Sequence, residues 1–157
     1  MKGTKALFFL IVLTFFVSSC TSKANHEVKG LEGISDVNNT IVLKSETSDE
    51  VIGTPIRVLI VNTSQDPLYF SSSYGLQIFA LLQNGWQRVL ARTFPALSQG
   101  LVLPPLPEGG MEQILVYPEI PTNVKTIVLH IVIRGRKNKA SGEPVGAYLD
   151  VTLHRAK

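Results

Sequence analysis

From about residue 39 onward the chain alternates. Short apolar or alternating runs are separated by Pro, Gly, Asn and Ser. The runs are Thr40–Leu43, Ile56–Val61, Leu68–Phe70, Leu76–Leu82, Trp86–Ala91, Met111–Tyr117, Val124–Arg134 and Ala147–His154. Successive side chains of a strand point to opposite faces, so a period of two marks a strand with one face buried. Seven to eight such strands joined by turn signals predict an all-β protein, an antiparallel β-sandwich or a barrel. No window holds a helical period over three turns.

The joints have their own chemistry. Asn84-Gly85 lies between two runs and supplies the positive φ angles of a two-residue hairpin turn. Asn62 to Pro67 is a turn cluster, and Ser71-Ser72-Ser73 reads as a loop before a Tyr74-Gly75 turn. Leu103 to Gly110 is too rich in proline to pair as a central strand, so it is expected to cross the surface, with a passage between the two sheets as one route. Arg136 to Gly142 reads as an exposed, charged hairpin tip.

Alternation also assigns the faces. Ile127, Leu129, Ile131 and Ile133 should point inward, with Thr126, Val128, His130, Val132 and Arg134 outward. In the last run Ala147, Leu149, Val151 and Leu153 point in, and Tyr148, Asp150, Thr152 and His154 point out. The Asn84-Gly85 hairpin is apolar on both faces. Its second face carries Phe79, Leu81, Trp86 and Leu90 together with Arg88. Exposed, these residues form an apolar patch with the Trp and Arg favoured at interface anchors. Covered by another strand or by the proline-rich segment, they are simply more core. Phe79, Leu81, Trp86 and Arg88 are therefore the candidate binding residues.

The first residues read as an address. Lys2 and Lys5 precede an uncharged apolar run from Ala6 to Val17, followed by Ser18, Ser19 and Cys20. This order defines a secretory signal peptide, and the run is short of the roughly 20 residues that span a bilayer. Val17-Ser18-Ser19-Cys20 resembles the lipobox of bacterial lipoproteins. The resemblance implies diacylglycerol on the Cys20 thiol and cleavage after Ser19. It places the chain in the cell envelope, on the extracytoplasmic side of a membrane. Thr21 departs from the Cys-Asp start of lipoproteins retained in the inner membrane, which implies the outer membrane where the organism has one. Two or three acyl chains make a stable anchor where one does not. Residues 21–37 are mostly polar, with two glycines, and read as a tether. The expected division is a signal peptide at 1–19, a lipidated flexible tether at 20–38 and the sandwich at 39–157.

Within that sandwich, the run Val58 to Asn62 with its turn ending in Pro67, the Trp86 strand and the Pro107 to Gly110 turn resemble immunoglobulin-like modules of bacterial surface lipoproteins. The resemblance implies an immunoglobulin-like β-sandwich and says nothing of activity.

Charge then loses weight as a clue. The full chain has 15 Lys+Arg against 12 Asp+Glu, but two of the lysines lie in the signal. The remaining near balance gives no field for nucleic acid. Cys20 is the only cysteine, so the fold must hold without an intrachain disulfide.

Little catalytic chemistry is legible. His26 lies in the tether; His130, Asp150 and His154 lie on outward faces of the last two runs. Were those strands neighbours, the three would share a face, which keeps a metal-binding or hydrolytic domain as the alternative. A zinc site, however, needs three or four placed ligands. Glu46, Asp49 and Glu50 read as a solvated acidic loop. There is no Gly-x-Ser-x-Gly, and Gly109-Gly110 precedes no phosphate-binding helix. The leading expectation is a non-enzymatic binding or envelope-accessory module. It needs no cofactor or metal, and it meets the membrane through Cys20 and an envelope protein through its surface.

Overall fold

The computed structural model describes residues 28–46, 49–96, 100–108 and 110–156. The signal peptide, Cys20, His26 and the first part of the expected tether lie outside the described residues.

Twelve strands are formed among the described residues. They are β1 (Asp36–Val37), β2 (Ile41–Ser45), β3 (Asp49–Val51), β4 (Ile56–Asn62), β5 (Leu68–Phe70) and β6 (Gln77–Leu82). There follow β7 (Gly85–Val89), β8 (Ala91–Phe94), β9 (Leu101–Leu103), β10 (Met111–Pro118), β11 (Thr126–Lys137) and β12 (Pro144–His154). β2, β4, β10 and β8, in that order, make one sheet; the other eight make the second. The two sheets form the expected β-sandwich, of twelve strands among the described residues where the sequence predicts seven to eight.

The long β11–β12 hairpin is the spine of the larger sheet. Its register pairs Thr126 with His154, His130 with Asp150 and Arg136 with Pro144. The far edge of β11 is shared: β6 takes Leu129–Val132 and β5 takes Gly135–Lys137. The free edge of β12 is met in parallel by β1 at Val145–Gly146 and by β3 at Thr152–His154. These two parallel additions are the exceptions in an otherwise antiparallel fold.

The core lies between the sheets. Ile41, Ile56, Val58, Ile60, Ile114 and Val116 of one sheet meet Ile78, Leu129, Ile131, Ile133, Val151 and Leu153 of the other. Leu129, Ile131, Ile133, Val151 and Leu153 are on the inward faces that alternation predicts for the last two runs. Each such side chain stabilises by about 1.5–3 kcal/mol on burial.

The sequence pattern needs correction at two joints. The run Trp86–Ala91 is not one strand: β7 stays in the larger sheet, the chain changes sheets at Leu90, and β8 pairs with β10. β3 occupies part of the expected acidic loop, where Glu46 pairs with Arg57 at 3.3 Å. The proline-rich segment does cross between sheets, from β9 to β10, and is tied down by buried Asn62. The Asn62 amide donates to the carbonyls of Asp66 (2.8 Å), Leu103 (3.2 Å) and Pro104 (3.1 Å). Its Oδ1 accepts from the Ser64 backbone (3.0 Å) and hydroxyl (2.8 Å). Asn62 is thus a satisfied structural hub.

Candidate functional site

The outer face of the larger sheet is covered in part by the chain's own residues 28–38. This corrects the reading of 20–38 as a flexible tether throughout. Two turns lead in, with Leu31 N–H donating to the Val28 carbonyl (2.8 Å) and Ile34 N–H to that of Leu31 (3.0 Å). β1 then pairs with β12, and the Asn38 N–H donates to the Gly146 carbonyl (3.0 Å). Asn38 Oδ1 in turn accepts from the Tyr148 N–H (2.9 Å).

Two glycines let this strap lie close. Gly146 leaves room for Leu31, which is 2% exposed; a Cβ at 146 would stand 2.4 Å from Leu31 Cδ2. Gly30, at φ +85°, lies over the Phe79 ring, where a Cβ would meet Cε2 at 2.7 Å. The result is a second, small core of Leu31, Phe79 and Val132 with Val28, Ile34, Val37 and Tyr148 packed around it. Asp36 fixes the far end: its carboxylate accepts from Thr40 and pairs with Lys137 Nζ at 2.7 Å. Burial pushes the Asp36 carboxyl up, but the hydrogen bonds from Lys137 and Thr40 outweigh it and hold it below its ordinary value.

On one side of the strap lies His130. Alternation places it on the outward face of its strand, where it is nonetheless 6% exposed. Its ring centroid is 4.7 Å from that of Tyr148, 5.3 Å from Trp86 and 6.5 Å from Phe79. Its Nδ1 is 2.6 Å from Asp150 Oδ1. A carboxylate only accepts, so Nδ1 is the donor and Nε2 is left buried without a partner. His154 does not join them. It sits opposite Thr126, bonded to that hydroxyl at 3.1 Å. Four residues of strand, roughly 13 Å, separate it from the His130–Asp150 pair. Among the described residues no three His, Cys, Asp or Glu are grouped to hold a metal ion.

The four candidate binding residues divide. Phe79 is buried under the strap, a correction to its place in an exposed patch. Leu81 and Trp86 pair across the hairpin and are 47% and 37% exposed. Arg88, opposite Phe79, is exposed.

On the other side of the strap the sheet forms an open groove of about 660 Å³. Ile34 of the strap makes one wall, Tyr69 and Val102 another, and Gln77, Arg134 and Arg136 contribute the polar groups. Among the described residues no carboxylate lines it. Arg136 is steadied by a bond to the Gly142 carbonyl at 2.8 Å. Sequence reading had Arg134 outward and Arg136 in a charged tip. Their meeting over one concavity needed the pairing of β5 beside β6 on β11, for which no residue pattern gave a signal.

No family model matches the chain, and no curated protein matches it. Similar solved structures include the E. coli chaperone DraB, at 10% identity over 73% of this chain and 55% of that one, with a TM-score of 0.48. Another is a chain from the Salmonella enterica SafA pilin in complex with the SafB chaperone, at 9% identity over 72% and 54%, TM-score 0.46. A C. elegans member of the MSP family is similar at 14% identity over 74% and 98%, TM-score 0.42. The chain spans about half the length of the first two.

Proposed function

We propose that this chain is a non-enzymatic binding module of the bacterial cell envelope, anchored by lipid on Cys20 and taking an anionic ligand in the Arg134–Arg136 groove. The observation that carries the ligand reading is a concave site whose lining, among the described residues, holds two arginines and no carboxylate. Guanidinium groups bind carboxylate and phosphate through paired, charge-assisted hydrogen bonds. The apolar walls, Ile34, Leu101 and Val102, favour an organic anion over a bare inorganic one. The anchor rests on the lipobox resemblance. It places the domain outside the cytoplasm, on the outer membrane where there is one, within reach of an envelope protein partner.

The test is a titration of the mature domain with an organic dicarboxylate and with its uncharged diamide, followed by amide chemical shifts. Saturable shifts at Tyr69, Gln77 and Gly135 with the dicarboxylate alone are expected, weakened at least tenfold in Arg134→Ala. Equal response to both compounds, or none in the groove, contradicts the ligand reading. A metal-binding or hydrolytic domain is favoured only by the unpartnered His130 Nε2. Metal analysis of the purified domain decides that alternative: bound metal that His130→Ala removes would establish it.

A further inference from the structure

The strap begins beside the hairpin. Val28 packs on the Leu31–Phe79–Val132 cluster, and Lys29 Nζ lies 5.8 Å from the centre of the Phe79 ring. Leu81 follows Phe79 on the same face of β6, two residues on. Between Cys20 and Val28 the chain can reach at most about 28 Å when fully extended. A lipid on Cys20 therefore keeps Val28, and with it the Phe79 cluster at the root of the hairpin, about that distance or less from the membrane surface.

What the hairpin presents is suited to such a surface. Leu81 and Trp86 stand at its end, and Leu90, 72% exposed, at its exit. Arg88 is exposed beside them, and residues 76–92 contain no Asp or Glu. Of the acids on this face, Asp150 is bonded to His130, Asp36 is paired with Lys137, and Glu32 of the strap feels the charges of Lys29 and Arg134. Tryptophan favours the boundary between headgroups and acyl chains, and arginine keeps its charge among headgroups while its stem lies on apolar surface. Cations near an anionic surface add to the attraction.

We propose that the outer face of the β6–β7 hairpin docks on the membrane that holds the Cys20 lipid, with Leu81 and Trp86 at the headgroup–acyl boundary and Arg88 and Lys29 against anionic headgroups. The inference rests on the anchor proposed above. It gives the domain a fixed orientation, hairpin down, instead of free rotation on its tether.

Trp86 is the only tryptophan of the chain, so its emission reports this face alone. The mature protein purified from membranes is reconstituted in vesicles containing phosphatidylglycerol. Its acyl mass is measured, and its fluorescence is quenched from the lipid side by brominated acyl chains and from the water side by iodide. The expected result is acylated protein with emission shifted to shorter wavelength, quenching by brominated lipid, and iodide quenching reduced at least twofold. Arg88→Glu with Leu81→Ser should reverse both quenching effects while leaving vesicle co-sedimentation intact. Acylated, co-sedimenting protein whose Trp86 stays open to iodide overturns the docking and leaves the anchor standing. Protection from iodide without quenching by brominated lipid also overturns it, in favour of a second copy of the chain. Protein without acyl mass on Cys20 overturns both.

Discussion

The inner and outer faces of the β11–β12 hairpin are built on different plans. Inward, Leu129, Ile131, Ile133, Val151 and Leu153 are all aliphatic and buried by the opposite sheet. Outward, Val132, His130 and Tyr148 are enclosed by pieces of chain from elsewhere: the strap above Val132, and Trp86 and Phe79 around His130. The inner face is one continuous layer that any aliphatic set of the right volume fills. The outer face depends on two glycines, one ion pair and a turn, each at a particular place. The contrast separates what makes this chain fold from what gives one side of it a shape.

The largest predicted effect breaks the inner face. Ile131→Ala, at a fully buried position, should cost about 2–5 kcal/mol and lower the urea midpoint of the whole domain. Leu31→Ala should cost less, about 2 kcal/mol, because undocking of the strap limits the loss. Hydrogen exchange should then rise at Asn38 and Tyr148 and leave β4 and β10 protected. Loss of protection throughout would mean that the strap is part of the main core. Gly146→Ala puts a methyl against Leu31 and should cost about 1 kcal/mol, with the same local pattern of exchange.

The smallest effect concerns acidity. The Asp36 carboxyl is held below its ordinary value of 3.8, so its contribution to stability is present above that pH. It is lost as pH falls through the lower value of the folded state. Asp36→Asn should remove that part of the acid sensitivity, flattening the dependence of the urea midpoint on pH below about 4. An unchanged slope would show that the Lys137–Asp36 pair does not hold the strap.

Much of the inner face was legible because a period of two survives any choice of neighbours. Ile127 to Ile133 and Ala147 to Leu153 alternate cleanly, and Asn84-Gly85 marks the hairpin but not its register: the turn is Gln83-Asn84, Leu82 pairs with Gly85, and Gly85 takes the positive φ while Asn84 does not. The strap was not legible. Its apolar residues Val28, Leu31, Ile34 and Val37 are spaced by three and lie among polar neighbours, which matches neither a strand nor a helix of useful length. They bury themselves on Phe79, Val132 and Tyr148, far off along the chain, and local pattern carries no trace of that. His130 was misjudged for the same reason. Alternation tells which way a side chain points and not what lies over it. The groove needed the two halves of β11 to take different partners, a fact of topology.

The account stands on the strap being docked, since it walls the groove and brings the chain from Cys20 in beside the hairpin. The most direct measurement is the set of proton cross-relaxation contacts of the Leu31 methyl groups in the mature domain. The account predicts strong contacts from these methyls to the Phe79 ring and to the Gly146 α-protons. Leu31 methyls with random-coil shifts and contacts only to residues 30 and 32 would contradict it.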